Sequence, residues 1–185
     1  MAIMQGLTKH DYERFILSGV EGQWELHDGR LVEKPGMSWK HLDLSFELGH
    51  QLRLQLDRDH YRVFIEGRVL RHESTILQPG LLVVPTEYGD RIAEHQPLAV
   101  LPAPLPLVVE VWSPSTGEYD LDTKIPVYID RGDLEVWRIH PYERTLTRWV
   151  RQPDGSYVEL LHRDGMVALA AFPGVVIDLD QLMNG

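Results

Sequence analysis

The stretch LVVEVWSPSTGEYDLDTKIPVYIDRGDLEVWRIHP, residues 107–141, decides the fold. LVVEVW is a short run of apolar and β-branched residues and reads as a buried strand. SPSTG is a turn. DLDTKIPVYIDRG reads as a helix, with Asp120 or Asp122 capping its start and Gly132 free to take the left-handed position after its end. Pro126 has no amide hydrogen, so the helix must begin late enough to leave it in or near the first turn, or kink there. DLEVWRIHP is a second strand. Strand, helix and strand in that order imply a right-handed parallel crossover, the mark of an α/β architecture.

Glu110 is out of place in the first strand. An ionised carboxylate among apolar residues is costly unless a cation or hydrogen bonds compensate it, so Glu110 predicts a partner: Lys124, an arginine or a metal. If the helix packs back on the strand, Lys124 in its first turn points at the strand's end. Two readings follow. One is a structural ion pair; Asp120 with Lys124 is also an ordinary i,i+4 helix pair worth about 0.3–0.5 kcal/mol. The other is chemical. A hard cation such as magnesium takes oxygen ligands, usually one or two carboxylates with water and phosphate, and a nearby lysine can orient or deprotonate an attacking water. That is metal-assisted hydrolysis of a phosphodiester, and the residues alone leave both readings open.

Working outward, LTKHDYERFIL carries Thr8 as an N-cap, Asp11 three residues on, and apolar Tyr12, Phe15 and Ile16, a short amphipathic helix. WELHDGRLVEK alternates around Asp28-Gly29, a two-residue hairpin signal. Ser38 caps SWKHLDLSFELGHQLRLQLDR, where Leu42, Phe46, Leu48, Leu52 and Leu56 form an apolar stripe. YRVFIEGRVLRHESTILQPGLLVV, broken at Gly67 and near Pro79-Gly80, predicts two or three strands. PTEYGDRIAEHQPLAVLPAPLP, rich in turn formers, predicts a surface connection. RTLTRWVRQPDGSYVELL is a hairpin around Asp154-Gly155, and FPGVVIDLDQL closes the chain.

With 185 residues and 43% hydrophobic content, one domain spanning residues 1–185 is expected. Eighteen basic against 28 acidic residues, net −10, argue against coating nucleic acid non-specifically, so a polyanion partner must meet a local basic patch. No cysteine is present, which removes disulfides and thiolate sites. No apolar run approaches a membrane span, and no leader is evident, so a cytoplasmic protein with no membrane partner is expected. Phosphate-binding glycine loops, the serine elbow and the zinc-helix motif are missing, and none of the nine histidines are spaced i,i+4. Trp112, Trp137, Trp149 and Tyr157 read as core or interface residues.

Taken together, WELHDGRLVEKPG, His41 in the next helix, TILQPGLLVV and the 107–141 stretch resemble the Uma-two family of restriction-endonuclease-like proteins over almost the whole chain. The resemblance implies the PD-(D/E)XK nuclease fold, a mixed β-sheet flanked by helices. It implies a DNA endonuclease that uses magnesium or manganese and commonly forms a homodimer. Residue by residue, it implies Glu110 as a metal ligand and Lys124 as the catalytic lysine, moved onto the helix because Trp112 stands where the parent motif has lysine. Asp120 is the acid before that lysine, Glu25 a second metal ligand and catalytic acid, and His41 a flanking residue, although taken alone His41 reads as an exposed helix histidine with no role. One departure matters. The family's Pro-Asp dipeptide is Pro79-Gly80 here, and glycine has no ligand to offer, which weakens the expected metal affinity. Either Glu25, Glu66 or Glu73 supplies the missing carboxylate, or the chain is an inactive scaffold that binds nucleic acid or a protein.

Overall fold

The computed structural model describes residues 6–34, 36–88, 98–102, 104–114 and 120–184, without the side chains of residues 120 and 121. Residues 115–117 of the SPSTG turn and the middle of the Pro-rich connection therefore lie outside the described residues.

Thr8 and Asp11 form the expected capping box of α1 (Lys9–Leu17). The hairpin β1 (Gln23–His27) and β2 (Arg30–Lys34) closes on Asp28 and Gly29, both at positive φ as a type I′ turn requires. Ser38 caps α2 (Trp39–Gln55). Its buried stripe is Leu44, Leu48 and Leu52, one helical turn apart, and Phe46 is exposed, which corrects the expected face: it lies about 200° round the helix from Leu44.

The segment that predicts two or three strands forms four: β3 (Tyr61–Ile65), β4 (Arg68–His72), β5 (Thr75–Leu77) and β6 (Leu81–Pro85). The unforeseen break is the tight turn at Glu73-Ser74. The Pro-rich connection is also more than a surface loop. Val100 and Leu101 make β7 (Val100–Leu101), buried and parallel to β4.

The decisive stretch folds as read. β8 (Leu107–Val111) is buried along its length and runs parallel to β9 (Glu135–His140), Glu110 opposite Arg138. Between them, a π-helical turn over Asp120–Lys124 leads into α3 (Ile125–Arg131), with Pro126 in its first turn and Gly132 left-handed at φ 83°. Among the described side chains none caps α3: its N-cap is Lys124, because the π turn carries the chain into the helix, and Asp122 is exposed. The chain ends in the hairpin β10 (Thr145–Arg151) and β11 (Tyr157–His162), then β12 (Met166–Ala168), β13 (Val176–Asp178) and α4 (Leu179–Asn184).

These strands make a six-stranded sheet, β11-β10-β9-β8-β6-β3, and a five-stranded sheet, β2-β1-β5-β4-β7, beside the small β12-β13 pair. Alternation along β8 separates two cores. Leu107, Val109 and Val111 pack on α2, α4 and the β12-β13 pair; Val108 faces Ile125, Val127 and Tyr128 of α3 and Val69, Leu77 and Leu101 of the five-stranded sheet. At about 1.5–3 kcal/mol per buried aliphatic side chain, these layers hold the two sheets in register. Glu110 shares the second face, so the fold points it into the seam between the sheets. No helix among the described residues is long and apolar enough to cross a membrane.

Candidate functional site

Two short connections cross the seam. Glu66-Gly67 carries the chain from β3 in one sheet to β4 in the other, and Gln78-Pro79-Gly80 carries it back from β5 to β6. The Glu66 amide donates to the Gly80 carbonyl at 3.3 Å and ties the crossings together. Gly67 is dictated by space, since a Cβ there would sit 2.7 Å from Leu82 Cδ2.

Around these crossings the structure brings three of the expected residues into contact. Lys124 Nζ lies 2.9 Å from Glu25 Oε1 and 3.2 Å from Glu110 Oε1. All three are buried, with 2%, 0% and 3% of the residue exposed for Lys124, Glu25 and Glu110. Glu25 Oε1 also accepts the Gln78 amide at 2.7 Å. The Tyr128 hydroxyl donates to Glu110 Oε1 at 2.5 Å, a short bond to a charged acceptor. Tyr128 was not anticipated, although it sits four residues after Lys124, on the same helix face. Asp120 belongs to the π turn, and its side chain lies outside the described residues.

A second charged pair adjoins the first. Lys34, at the end of β2, donates to Glu66 Oε2 at 2.7 Å and to the Gln78 carbonyl at 2.9 Å. Burial pushes the Glu66 carboxyl above its ordinary value, against the pull of Lys34. His41, expected as an exposed helix residue, is instead 7% exposed because its face of α2 turns toward the seam, with Nε2 3.9 Å from Glu66 Oε1 and 3.3 Å from the point a Gly80 Cβ would occupy. Burial, helped by the Lys34 ammonium, pushes its imidazole down to about 4, so it is neutral near pH 7 and the Glu66 contact is not an ion pair. Of the three acids weighed for the missing carboxylate, Glu73 is exposed at the β4–β5 turn, away from the seam, whereas Glu25 and Glu66 line it.

The bland reading of a buried acid is realised elsewhere in the same molecule. Glu135 accepts from Trp137 Nε1 and Arg148 on one oxygen and from the amides of Ala170 and Ala171 on the other. Asp133 is matched by Arg131 and the Leu105 amide. Both are structural acids with every oxygen satisfied. In the seam, by contrast, Glu25 Oε2, Glu66 Oε1 and Gln78 Oε1 have no hydrogen-bond partner among the described residues. Orphaned buried polar atoms are rare enough that a cluster of them asks for a ligand.

Carboxylate and amide oxygens are the donors a hard divalent cation takes, and magnesium needs only one or two carboxylates beside water and phosphate. The donor chemistry therefore fits such an ion. Among the described residues no three His, Asp or Glu side chains are spaced to share one ion, so part of any coordination shell falls to water and substrate.

Basic charge gathers elsewhere. A surface cavity of about 460 Å³ lined by Arg53, Arg58 and Arg62 with Tyr61 and Phe64 lies at the far end of α2, on the β3 edge. It is about 20 Å along the helix from His41 and holds none of the acid and lysine groups. Trp137 and Trp149 are core residues as expected, and half-buried Trp112 stacks on His140 with ring centroids 4.1 Å apart.

A mixed sheet with a parallel crossover and a buried acid and lysine cluster at its seam defines a restriction-endonuclease-like α/β protein. The chain belongs to the Uma2 family: that family's model, described as "Putative restriction endonuclease", matches residues 10–180. A solved structure described as "a putative nuclease belonging to DUF820" from Anabaena variabilis shares the fold, with a TM-score of 0.75 and 16% identity over 97% of this chain and 98% of that one. No curated protein matches the sequence.

Proposed function

We propose that the chain is a divalent-metal-dependent endonuclease that hydrolyses DNA phosphodiester bonds at the seam between its sheets. The observation that carries this reading is the meeting of Glu25, Lys124 and Glu110 beside buried oxygens with no partner, in a molecule whose structural acids are fully satisfied. Glu110 and Glu25 are the residues that would hold magnesium or manganese. When bound, such an ion supplies Lewis-acid stabilisation of charge on the scissile phosphate. Lys124 keeps its ammonium between the two acids, where it orients the attacking water and offsets negative charge as the phosphate becomes five-coordinate. Tyr128 holds the Glu110 carboxylate in one orientation. Asp120, on the turn that delivers Lys124, is assigned a supporting role in placing that lysine.

DNA as the partner is supported by the family's description and by the Arg53, Arg58 and Arg62 cavity, a local basic patch on an acidic chain. The reading also carries a homodimer, testable by sedimentation, and action in the cytoplasm. Gly80 favours a second reading, an inactive scaffold that binds nucleic acid or protein, since Lys34 and Lys124 already offset most of the acidic charge. Nicking of supercoiled plasmid in magnesium or manganese decides between them. Cleavage that disappears in Glu110→Ala supports the enzyme; cleavage seen only after Gly80→Asp supports the inactive scaffold.

A further inference from the structure

We propose that Glu66, rather than Glu25, whose Oε1 is held by Lys124 and the Gln78 amide, supplies the second carboxylate of the metal site, standing on one sheet crossing beside Gly80, which brings no side chain to the other. This rests on the nuclease reading and deepens it.

Position carries the argument first. The Glu66 amide is bonded to the Gly80 carbonyl at 3.3 Å, so the two residues face each other across the seam. A Cβ on residue 80 would point at His41 Nε2, 3.3 Å away, and Glu66 Oε1 approaches that same nitrogen to 3.9 Å. The Glu66 carboxylate and a residue-80 side chain would thus share His41 Nε2 as a neighbour.

The backbone supports the assignment. Glu66 has φ 60°, in the left-handed region that side chains other than glycine, asparagine and aspartate seldom adopt. Glycine would suit that turn without strain, yet a long acid stands there. The conformation is what turns the carboxylate into the seam rather than out to water, and strain of this kind gathers where a side chain has a task.

The carboxylate is also held in a ligand's pose. Lys34 binds Oε2 and is itself fixed to the Gln78 carbonyl, leaving Oε1 directed and unpartnered. The unpartnered oxygens of Glu25 and Gln78, in the same seam, belong to residues that are 0% and 3% exposed. Three carboxylates, Glu25, Glu66 and Glu110, face two ammonium groups, Lys34 and Lys124.

The test is calorimetric titration of manganese chloride into the intact chain, with melting temperatures taken in EDTA. Four variants are compared: Glu66→Gln, Glu110→Gln, Lys34→Gln and the double change Glu66→Gln with Gly80→Asp. The proposal predicts that Glu66→Gln weakens manganese binding at least tenfold. Returning an acid at residue 80 restores it. Lys34→Gln, which breaks the ion pair but leaves the carboxylate, binds as tightly or more tightly. Manganese binding unchanged in Glu66→Gln but lost in Glu110→Gln overturns the role of Glu66 and leaves the nuclease reading standing. Binding absent from the unmodified chain, or insensitive to both acids, overturns both. If Glu66→Gln does not fold, Lys34→Gln still decides: binding weakened tenfold there makes Glu66 and Lys34 a structural pair.

Discussion

Replacing Lys124 by methionine removes the one cation shown between Glu25 and Glu110 and keeps the side chain's bulk. Its contacts with Glu25 and Glu110, 2.9 and 3.2 Å, are each worth roughly 5 kcal/mol of Coulomb attraction at an effective dielectric near 20. Desolvation of three buried charges takes back much of that. The net loss expected on breaking such a cluster is about 3–5 kcal/mol, because two carboxylates stay buried without their counter-charge. For a chain of this length that lowers the melting temperature by roughly 6–20 °C. A double-mutant cycle with Glu25→Gln isolates the cause: once Lys124 is gone, neutralising Glu25 relieves repulsion with Glu110, so the double variant is more stable than the sum of the single changes by at least about 1 kcal/mol. Urea unfolding measures all four proteins. A Lys124→Met loss below about 1 kcal/mol, or additive costs, would refute the argument that this lysine holds the acids together.

Three further outcomes are expected. His41 is held at about 4 against 6.5 in the unfolded chain, so between these values the unfolded chain carries the extra proton. The stability that follows is complete above 6.5 and is lost as pH falls toward 4, by about 1.4 kcal/mol per unit at most. His41→Asn should flatten that part of the urea midpoint against pH, and identical slopes in the two proteins would count against a neutral buried imidazole. Glu135→Gln should cost about 3 kcal/mol in unfolding free energy while leaving manganese affinity unchanged, since its oxygens are taken up by Trp137, Arg148 and two amides; a calorimetric change there would contradict its structural role. Gly80→Asp should tighten manganese binding tenfold or more, about 1.4 kcal/mol, and lower the melting temperature in EDTA. Its Cβ crowds His41 Nε2 at 3.3 Å, and it adds a fourth acid to the seam.

Much of this was legible from local patterns. Asp28-Gly29, Thr8 with Asp11, Ser38 and Gly132 marked their turns and caps because those conformations depend on a few adjacent residues. The parallel pair β8 and β9 followed from strand, helix and strand, and Pro126 fixed where α3 could begin. The failures have physical causes. β7 was hidden because two residues give no periodicity and its burial comes from pairing with β4. Asp122 does not cap because a π turn, which no residue pattern announced, precedes the helix. Phe46 looked like core because an apolar residue near the stripe is not separated from one on it by composition.

At the site, Glu110 and Lys124 stood out because a charge in an apolar strand demands a partner. Glu66, Lys34, Gln78 and Tyr128 were harder to see. Lys34 and Glu66 are 32 residues apart and Glu25 and Gln78 are 53 apart, so their contacts exist only once the two sheets meet at the seam. In the sequence Glu66 is only one of three acids that could replace the missing carboxylate, and it stands behind Glu25. Its left-handed backbone, set by the crossing and by the space that forces Gly67, singles it out, and nothing in the local sequence encodes that direction.

The most direct test is a crystal of the intact protein soaked in manganese and measured at the manganese absorption edge. The account predicts one anomalous peak in the seam, about 2.1 Å from carboxylate oxygens, with Glu110 among its ligands and Lys124 alongside. No peak at the seam, with a peak instead on surface acids or with Lys124 still closing the space between Glu25 and Glu110, would contradict it.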